Sequence, residues 1–209
     1  MDKTCVIVGA GNFSSAEYHP PVGAFVIAAD GGWTHLRGMC IIPDLLLGDF
    51  DSLDIVPEGI PILRVPKEKD DTDTLLAVKW GIERGYDRFL LYGGLGGPRF
   101  DHSLANIQTL AYIAEHGGRG FLIGENTVAT IIKDRLAFSS TFTGPISMFS
   151  HGDRAAGVTL RGLKYPLENA ALTNTMPLGV SNEFIGCDSA VTVESGMLTV
   201  VWEGREIPE

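Results

Sequence analysis

Cysteine is scarce in this sequence, with three in 209 residues. Cys5, Cys40 and Cys187 lie far apart, their number is odd, and no C-x-x-C pair occurs. That usage argues against a disulfide framework and against a zinc site, and suits reduced thiols. Basic residues are also in short supply: 16 Lys and Arg face 26 Asp and Glu, for a net charge of −10. A long nucleic-acid duplex or an anionic membrane needs an electropositive face, so neither is an expected partner. No stretch approaches the roughly 20 apolar residues of a membrane span. The opening run Cys5-Val6-Ile7-Val8 is too short for a secretory signal core and lacks a basic lead-in. A cytoplasmic location is therefore expected. A G-x-S-x-G elbow is missing, which removes the serine-hydrolase reading. Gly9 and Gly11 are followed by Ser14 where a dinucleotide fingerprint needs glycine. His19, His35, His116 and His151 form no set with metal-ligand spacing. Internal repeats, low-complexity tracts and long charge blocks are absent too.

What is present is enough for a folded core. Hydrophobic residues make up 44% and charged residues 20%, outside the composition of disordered chains. Short apolar runs occur at residues 4–8, 24–29, 44–47, 62–65, 88–92 and 119–123, most of them closed by Gly, Pro or Asp. Continuous runs of this kind suit parallel strands buried on both faces. One helix is predicted from Asp71-Thr72-Asp73 through Ile82, because acidic residues precede an apolar stretch. Another is predicted from about Asp101-His102-Ser103 to Glu115, closed by Gly117-Gly118. Past about Asn126 the segments become short and β-rich, with turn signals at Gly144-Pro145, His151-Gly152-Asp153 and Ser195-Gly196. The expected fold class is α/β: a doubly wound, mostly parallel sheet with flanking helices, then a smaller antiparallel β-sandwich. The expected domains are residues 1–130 and 131–209.

Three clusters carry chemistry. Gly48-Asp49-Phe50-Asp51-Ser52 directly follows a predicted buried strand. In an open α/β sheet, ligands sit beyond the carboxyl ends of the strands. Two carboxylates one residue apart there can face one hard cation such as Mg²⁺, which shares its shell with water and phosphate. Lys67-Glu68-Lys69-Asp70-Asp71-Thr72-Asp73 follows the next strand and opens a helix. Three Asp in four residues repel one another unless a cation sits among them, and the lysines can reach phosphate oxygens. Gly93-Gly94-Leu95-Gly96-Gly97-Pro98-Arg99-Phe100-Asp101-His102 joins a strand to a helix. Glycines let the backbone approach a phosphate, and Arg99 can pair with its oxygens. The loop is not a Walker A loop, since no Gly-Lys-Ser/Thr follows. Asp30-Gly31-Gly32 ends a further strand and can touch a nucleotide. In the β-rich half, residues 172–175 and 179–184 gather short polar groups able to hydrogen-bond a heteroaromatic ring. Trp202 is a candidate to stack on one or to pack a core.

In this order the motifs resemble the thiamine pyrophosphokinase family. The matching stretches are Ala29-Asp30-Gly31-Gly32, Pro43-Asp44 with Gly48-Asp49-Phe50-Asp51-Ser52, Asp70-Asp71-Thr72-Asp73-Thr74, the glycine loop with Arg99-Phe100-Asp101-His102 and Leu104-Ala105-Asn106, and Gly179-Val180-Ser181-Asn182-Glu183-Phe184. The extra Pro98 before Arg99 departs from that pattern. The resemblance implies an N-terminal nucleotide-binding catalytic domain and a C-terminal thiamine-binding sandwich. It implies a homodimer with active sites shared between subunits. It also implies transfer of a pyrophosphoryl group from ATP to thiamine, giving thiamine diphosphate and AMP. By the same resemblance Asp49, Asp51 and Asp73 hold Mg²⁺, Arg99 offsets developing charge, and Asp101 orients ligand groups. Asp30, Gly31, Lys69, Asp70, Asp71, Thr72, Gly94, Gly96, Gly97 and His102 line ATP. Ser181 and Asn182 read the thiamine pyrimidine, with Trp202 as a stacking partner. The sequence singles out no general base. Two other readings stand beside this one: a metal-dependent nucleotide-sugar glycosyltransferase using the D-x-D pair, and a non-catalytic nucleotide-sensing module.

Overall fold

The computed structural model describes residues 3–49, 59–66, 68, 70–96 and 99–208. The chain divides into two compact units, Met1–Glu125 and Asn126–Glu209. Among the described residues the first unit contains β1 (Thr4–Val8), β2 (Phe25–Ala29), α1 (Gly32–Gly38), β3 (Leu45–Gly48) and β4 (Ile62–Arg64). It continues with α2 (Asp73–Glu83), β5 (Arg88–Tyr92), α3 (Phe100–Glu115) and β6 (Arg119–Ile123). The strands pair in parallel in the order β6-β5-β1-β2-β3-β4.

This order explains the apolar runs. β1, β2, β3 and β5 lie inside the sheet, and nearly all their residues, like those of β6, are buried. A two-sided strand tolerates no polar alternation, so the sequence shows none. β4 differs from the expectation of a strand buried on both faces: Ile62 and Leu63 are 38% and 39% exposed. Among the described residues it is paired with β3 alone.

Chain order reverses between β1 and β5. From β1 the chain steps outward through β2, β3 and β4; it then returns to β5, on the other side of β1, and continues to β6. Crossovers between parallel strands are right-handed. Steps in opposite directions therefore place their helices on opposite faces, with α1 on one side and α2 and α3 on the other. The contacts agree: α2 packs on α3, while α1 packs on β1 and β2. The doubly wound reading holds.

The second unit contains β7 (Thr127–Ile132), β8 (Arg135–Phe138), β9 (Pro145–Ser150), β10 (Arg154–Arg161), β11 (Leu167–Thr173), β12 (Gly179–Glu183), β13 (Ser189–Thr192) and β14 (Leu198–Glu203). One antiparallel set runs β12-β9-β14-β7 and the other β11-β10-β13-β8. Burial alternates along β8 and β9, as it must when one face meets a core and the other meets water. Phe138 from one set meets Trp202 from the other edge-on, ring centres 5.3 Å apart. Phe142 and Phe184 each lie 5.0 Å from Phe138. These rings form the middle of a β-sandwich. Among the described residues no helix is long and apolar enough to cross a membrane.

Candidate functional site

The reversal between β1 and β5 splays the segments leaving their carboxyl ends, which makes a crevice there. In this protein the two exits are hydrogen-bonded to each other. The Gly9 amide donates to Tyr92 O and the Gly11 amide to Gly93 O, both at 2.8 Å. Gly93 has φ +64°, a left-handed conformation that costs a residue with a Cβ. A Cβ there would also lie 2.4 Å from Gly9 O, and one on Gly11 would lie 2.5 Å from Gly93 O. Glycine is required at both positions by contact across two chain segments.

The next two exits are joined similarly. The Asp30 amide donates to Leu47 O at 2.7 Å, and Asp30 has φ +47°. A Cβ on Gly48 would sit 3.1 Å from Asp30 Cα. Asp30 and Asp49 thus leave adjacent strands at the same carboxyl edge. Gly31 caps α1, whose first residue, Gly32, lies so close to β1 that a Cβ would strike Val8 O at 1.8 Å.

The glycine loop after β5 is fastened to α3. Asn106, only 6% exposed, donates its Nδ2–H to Gly94 O at 2.8 Å. The Gly96 amide donates to Ser103 Oγ at 3.0 Å. Arg99 stands just before α3, and Asp101 and His102 lie in its exposed first turn. The Arg99 guanidinium grips Asp101 through Nε and Nη2, at 3.0 and 2.7 Å. Those hydrogen bonds, first among the causes, lower the Asp101 carboxyl to about 2. Asp101 thus engages the arginine through Nε and Nη2.

At α2, Thr72 is the cap: its Oγ1 accepts the Leu75 amide at 3.2 Å. Asp73 is the first helical residue, and Asp70 is exposed just before the cap. Asp71 accepts from Lys79 Nζ at 2.6 Å, and this bond raises the lysine's pKa. One of the three clustered acids is therefore neutralised by the chain itself, an ion pair the sequence reading missed. Its signal was a lysine two helical turns beyond the acid. Asp51, Lys69, Gly97 and Pro98 lie outside the described residues. Among the described residues no three acidic, histidine or cysteine side chains gather closely enough to hold an ion.

The remaining candidates belong to the second unit. Ser181, on β12, has φ +59°, and its amide donates to Ser147 Oγ at 3.1 Å. Asn182 is 4% exposed, and its side chain is spent internally. Its Oδ1 accepts the Tyr165 and Glu183 amides, and its Nδ2 donates to Tyr165 O. Trp202 is 1% exposed and donates Nε1–H to Glu206 O at 2.9 Å. With both ring faces covered it packs the core of this unit.

Comparison with known proteins adds an independent line. Residues 23–121 match the family model described as thiamin pyrophosphokinase, catalytic domain. Residues 131–198 match the one described as thiamin pyrophosphokinase, vitamin B1 binding domain. Thiamine pyrophosphokinase of Bacillus subtilis (strain 168) is 31% identical over 183 residues, covering 84% of this chain and 85% of that protein. A crystal structure of the Bacillus subtilis thiamine pyrophosphokinase superposes with a TM-score of 0.86 at 27% identity, covering 97% of this chain and 99% of that one. Yeast thiamin pyrophosphokinase shares the fold, with a TM-score of 0.77 at 15% identity over 98% of this chain and 87% of that one.

Proposed function

This chain belongs to the thiamin pyrophosphokinase family, and from that premise we propose how its residues carry out the family's reaction. It transfers a pyrophosphoryl group from ATP to the hydroxyl of thiamine, giving thiamine diphosphate and AMP. The N-terminal domain, expected from the sequence at residues 1–130 and compact in the structure over Met1–Glu125, binds nucleotide and supplies the catalytic groups. The second (131–209) binds thiamine. The observation that carries this reading is the carboxyl edge of the parallel sheet. There the paired glycine exits, Asp30, Asp49 and the capped start of α2 all emerge.

Asp49, Asp51 and Asp73 are the proposed holders of Mg²⁺. The fit is chemical: the donors are all carboxylate oxygens, as a hard cation demands, and Asp49 leaves the sheet beside Asp30. Bound there, the ion supplies charge neutralisation for the polyphosphate. Such transfers depend on positioning and charge stabilisation more than on covalent chemistry. Backbone amides of the glycine loop after β5 and of the start of α3 receive phosphate oxygens, apart from the Gly96 amide, which Ser103 Oγ already accepts. Arg99 Nη1 addresses the charge that develops on the leaving phosphate, held in place by Asp101. Asp30, Gly31, Lys69, Asp70, Thr72 and His102 line the nucleotide, and Asp71 contributes through its pair with Lys79. Ser181, with the turn that Asn182 ties to Tyr165, contacts the thiamine pyrimidine.

The protein acts as a cytoplasmic homodimer with active sites shared between subunits. Support comes from the exposed apolar side chains Met176, Leu178 and Val180 around β12, the strand that carries Ser181. Light scattering after gel filtration tests the dimer, and a monomeric mass with full activity would refute it. The site assignment is tested by Asp49→Asn and Asp73→Asn. Each is expected to lower kcat by about a hundredfold or more while leaving thermal unfolding near wild type, since removing a charge-stabilising group commonly costs that much. Wild-type turnover by both variants would overturn it.

A further inference from the structure

His35 is set aside in the sequence because it belongs to no metal-ligand pattern, yet the fold gives it a specific partner. It lies on α1, half-buried, with Nε2 2.9 Å from Gly11 O. A carbonyl only accepts, so Nε2 carries the hydrogen. The same residue is held from the other side, the Gly11 amide donating to Gly93 O. Gly11 is therefore gripped on one flank by the β5 exit and on the other by the helix that follows Asp30-Gly31. The His35 ring is itself held in place. Phe13 meets it edge-on at 5.3 Å, and Phe13 in turn meets Tyr92, the last residue of β5, at 5.7 Å. Tyr18 closes the group, 5.3 Å from Tyr92.

We infer that His35 is a positioning residue for nucleotide binding. Through its bond to Gly11 O it fixes the spacing of the β1 and β5 exits that form the crevice at the point of strand reversal. The inference rests on the reading that ATP lies at this carboxyl edge. Three features separate the role from ordinary core packing. The contact is a polar bond to a backbone oxygen, the carbonyl it engages belongs to a glycine whose Cβ-free approach to Gly93 is obligatory, and the ring links three strand exits. His35 does not touch the reacting atoms by this account. It sets the width of the gap that receives the polyphosphate.

The test compares His35→Leu, which keeps bulk but loses the donor, with His35→Gln, which keeps an N–H donor at similar reach. His35→Ala is a third variant. KM for ATP, KM for thiamine, kcat and the thermal midpoint are measured for each. Loss of one neutral hydrogen bond predicts a rise in KM for ATP of about five- to tenfold in His35→Leu, with KM for thiamine within twofold and largely restored ATP binding in His35→Gln. If His35→Ala does not fold, the Leu–Gln pair carries the comparison. An unchanged KM for ATP in His35→Leu would overturn the inference. Equal rises for both substrates, or a lowered thermal midpoint with unchanged KM values, would overturn it as well. Failure of the underlying reading looks different, because the wild-type protein itself would then form no thiamine diphosphate. In that case ATP affinity of wild type and His35→Leu, measured by calorimetry, still decides the positioning role.

Discussion

Replacing Gly93 with alanine should damage this protein in a way that replacing Gly96 does not. Both residues have left-handed backbone, at φ +64° and +78°. Each alanine variant therefore meets the conformational penalty of a Cβ in that region, about 1–2 kcal/mol. Among the described residues nothing lies within 4 Å of the place where a Cβ on Gly96 would go. At Gly93 the Cβ would lie 2.4 Å from Gly9 O. Neither atom belongs to a flexible side chain, so the two exits must separate. Separation strains or breaks the Gly9–Tyr92 and Gly11–Gly93 backbone bonds, each worth about 1 kcal/mol net. The expected losses of stability are about 1–2 kcal/mol for Gly96→Ala and about 3–4 kcal/mol for Gly93→Ala by these sums. Denaturant unfolding followed by circular dichroism measures both. Since the same separation opens the crevice, Gly93→Ala should also raise KM for ATP more than Gly96→Ala does. Equal stability of the two variants would refute the claim that contact between the β1 and β5 exits demands glycine.

Other expectations are more local. Asp101, lowered to about 2 chiefly by its hydrogen bonds from Arg99, should stay ionised through most of the acid range in an NMR titration. The sign follows from the direction of the shift. Stabilisation by the pair is complete above the ordinary carboxylate value of 3.8 and disappears as pH falls through about 2. Arg99→Gln should return the Asp101 midpoint toward 3.8. Phe138→Ala removes the ring at the centre of the sandwich and should cost about 3–5 kcal/mol, read from denaturant unfolding. Thr72→Ala removes the α2 cap and should cost about 1 kcal/mol by the same measurement, because the Leu75 amide loses its acceptor.

The parallel sheet was legible because burial on both faces leaves a mark that needs no tertiary knowledge. Runs such as Cys5–Val8 and Phe89–Tyr92 are apolar throughout. The α2 and α3 starts were legible for a similar reason, since caps and acidic first turns are local. What escaped was non-local. β4 looks like an interior strand in sequence, yet among the described residues it pairs with β3 alone and is exposed. α1 is seven residues long and bounded by Gly32 and Gly38, so it presents no capping pattern and little apolar periodicity. Gly179-Val180-Ser181-Asn182-Glu183 is rich in short polar groups, yet it forms β12 and pairs with β9, and the buried Asn182 satisfies its amide on the distant Tyr165 backbone. Among candidate site residues, the motif positions after β2, β3 and β5 are proposed from the sequence alone, since local motifs mark them. The neutralisation of Asp71 by Lys79 and the hold of His35 on Gly11 depend on side chains meeting across turns or elements. Trp202 shows the reverse case: an aromatic suited to stacking on a ligand is occupied instead by Phe138 and the sandwich core.

The most direct test of the account is product identity. The protein is incubated with ATP, Mg²⁺ and thiamine, and the products are identified by mass spectrometry, with the Asp49→Asn/Asp51→Asn double variant as control. The account predicts thiamine diphosphate and AMP in equal amounts from the wild type and neither from the folded variant. ADP with thiamine monophosphate, or undiminished product from the double variant, would contradict it.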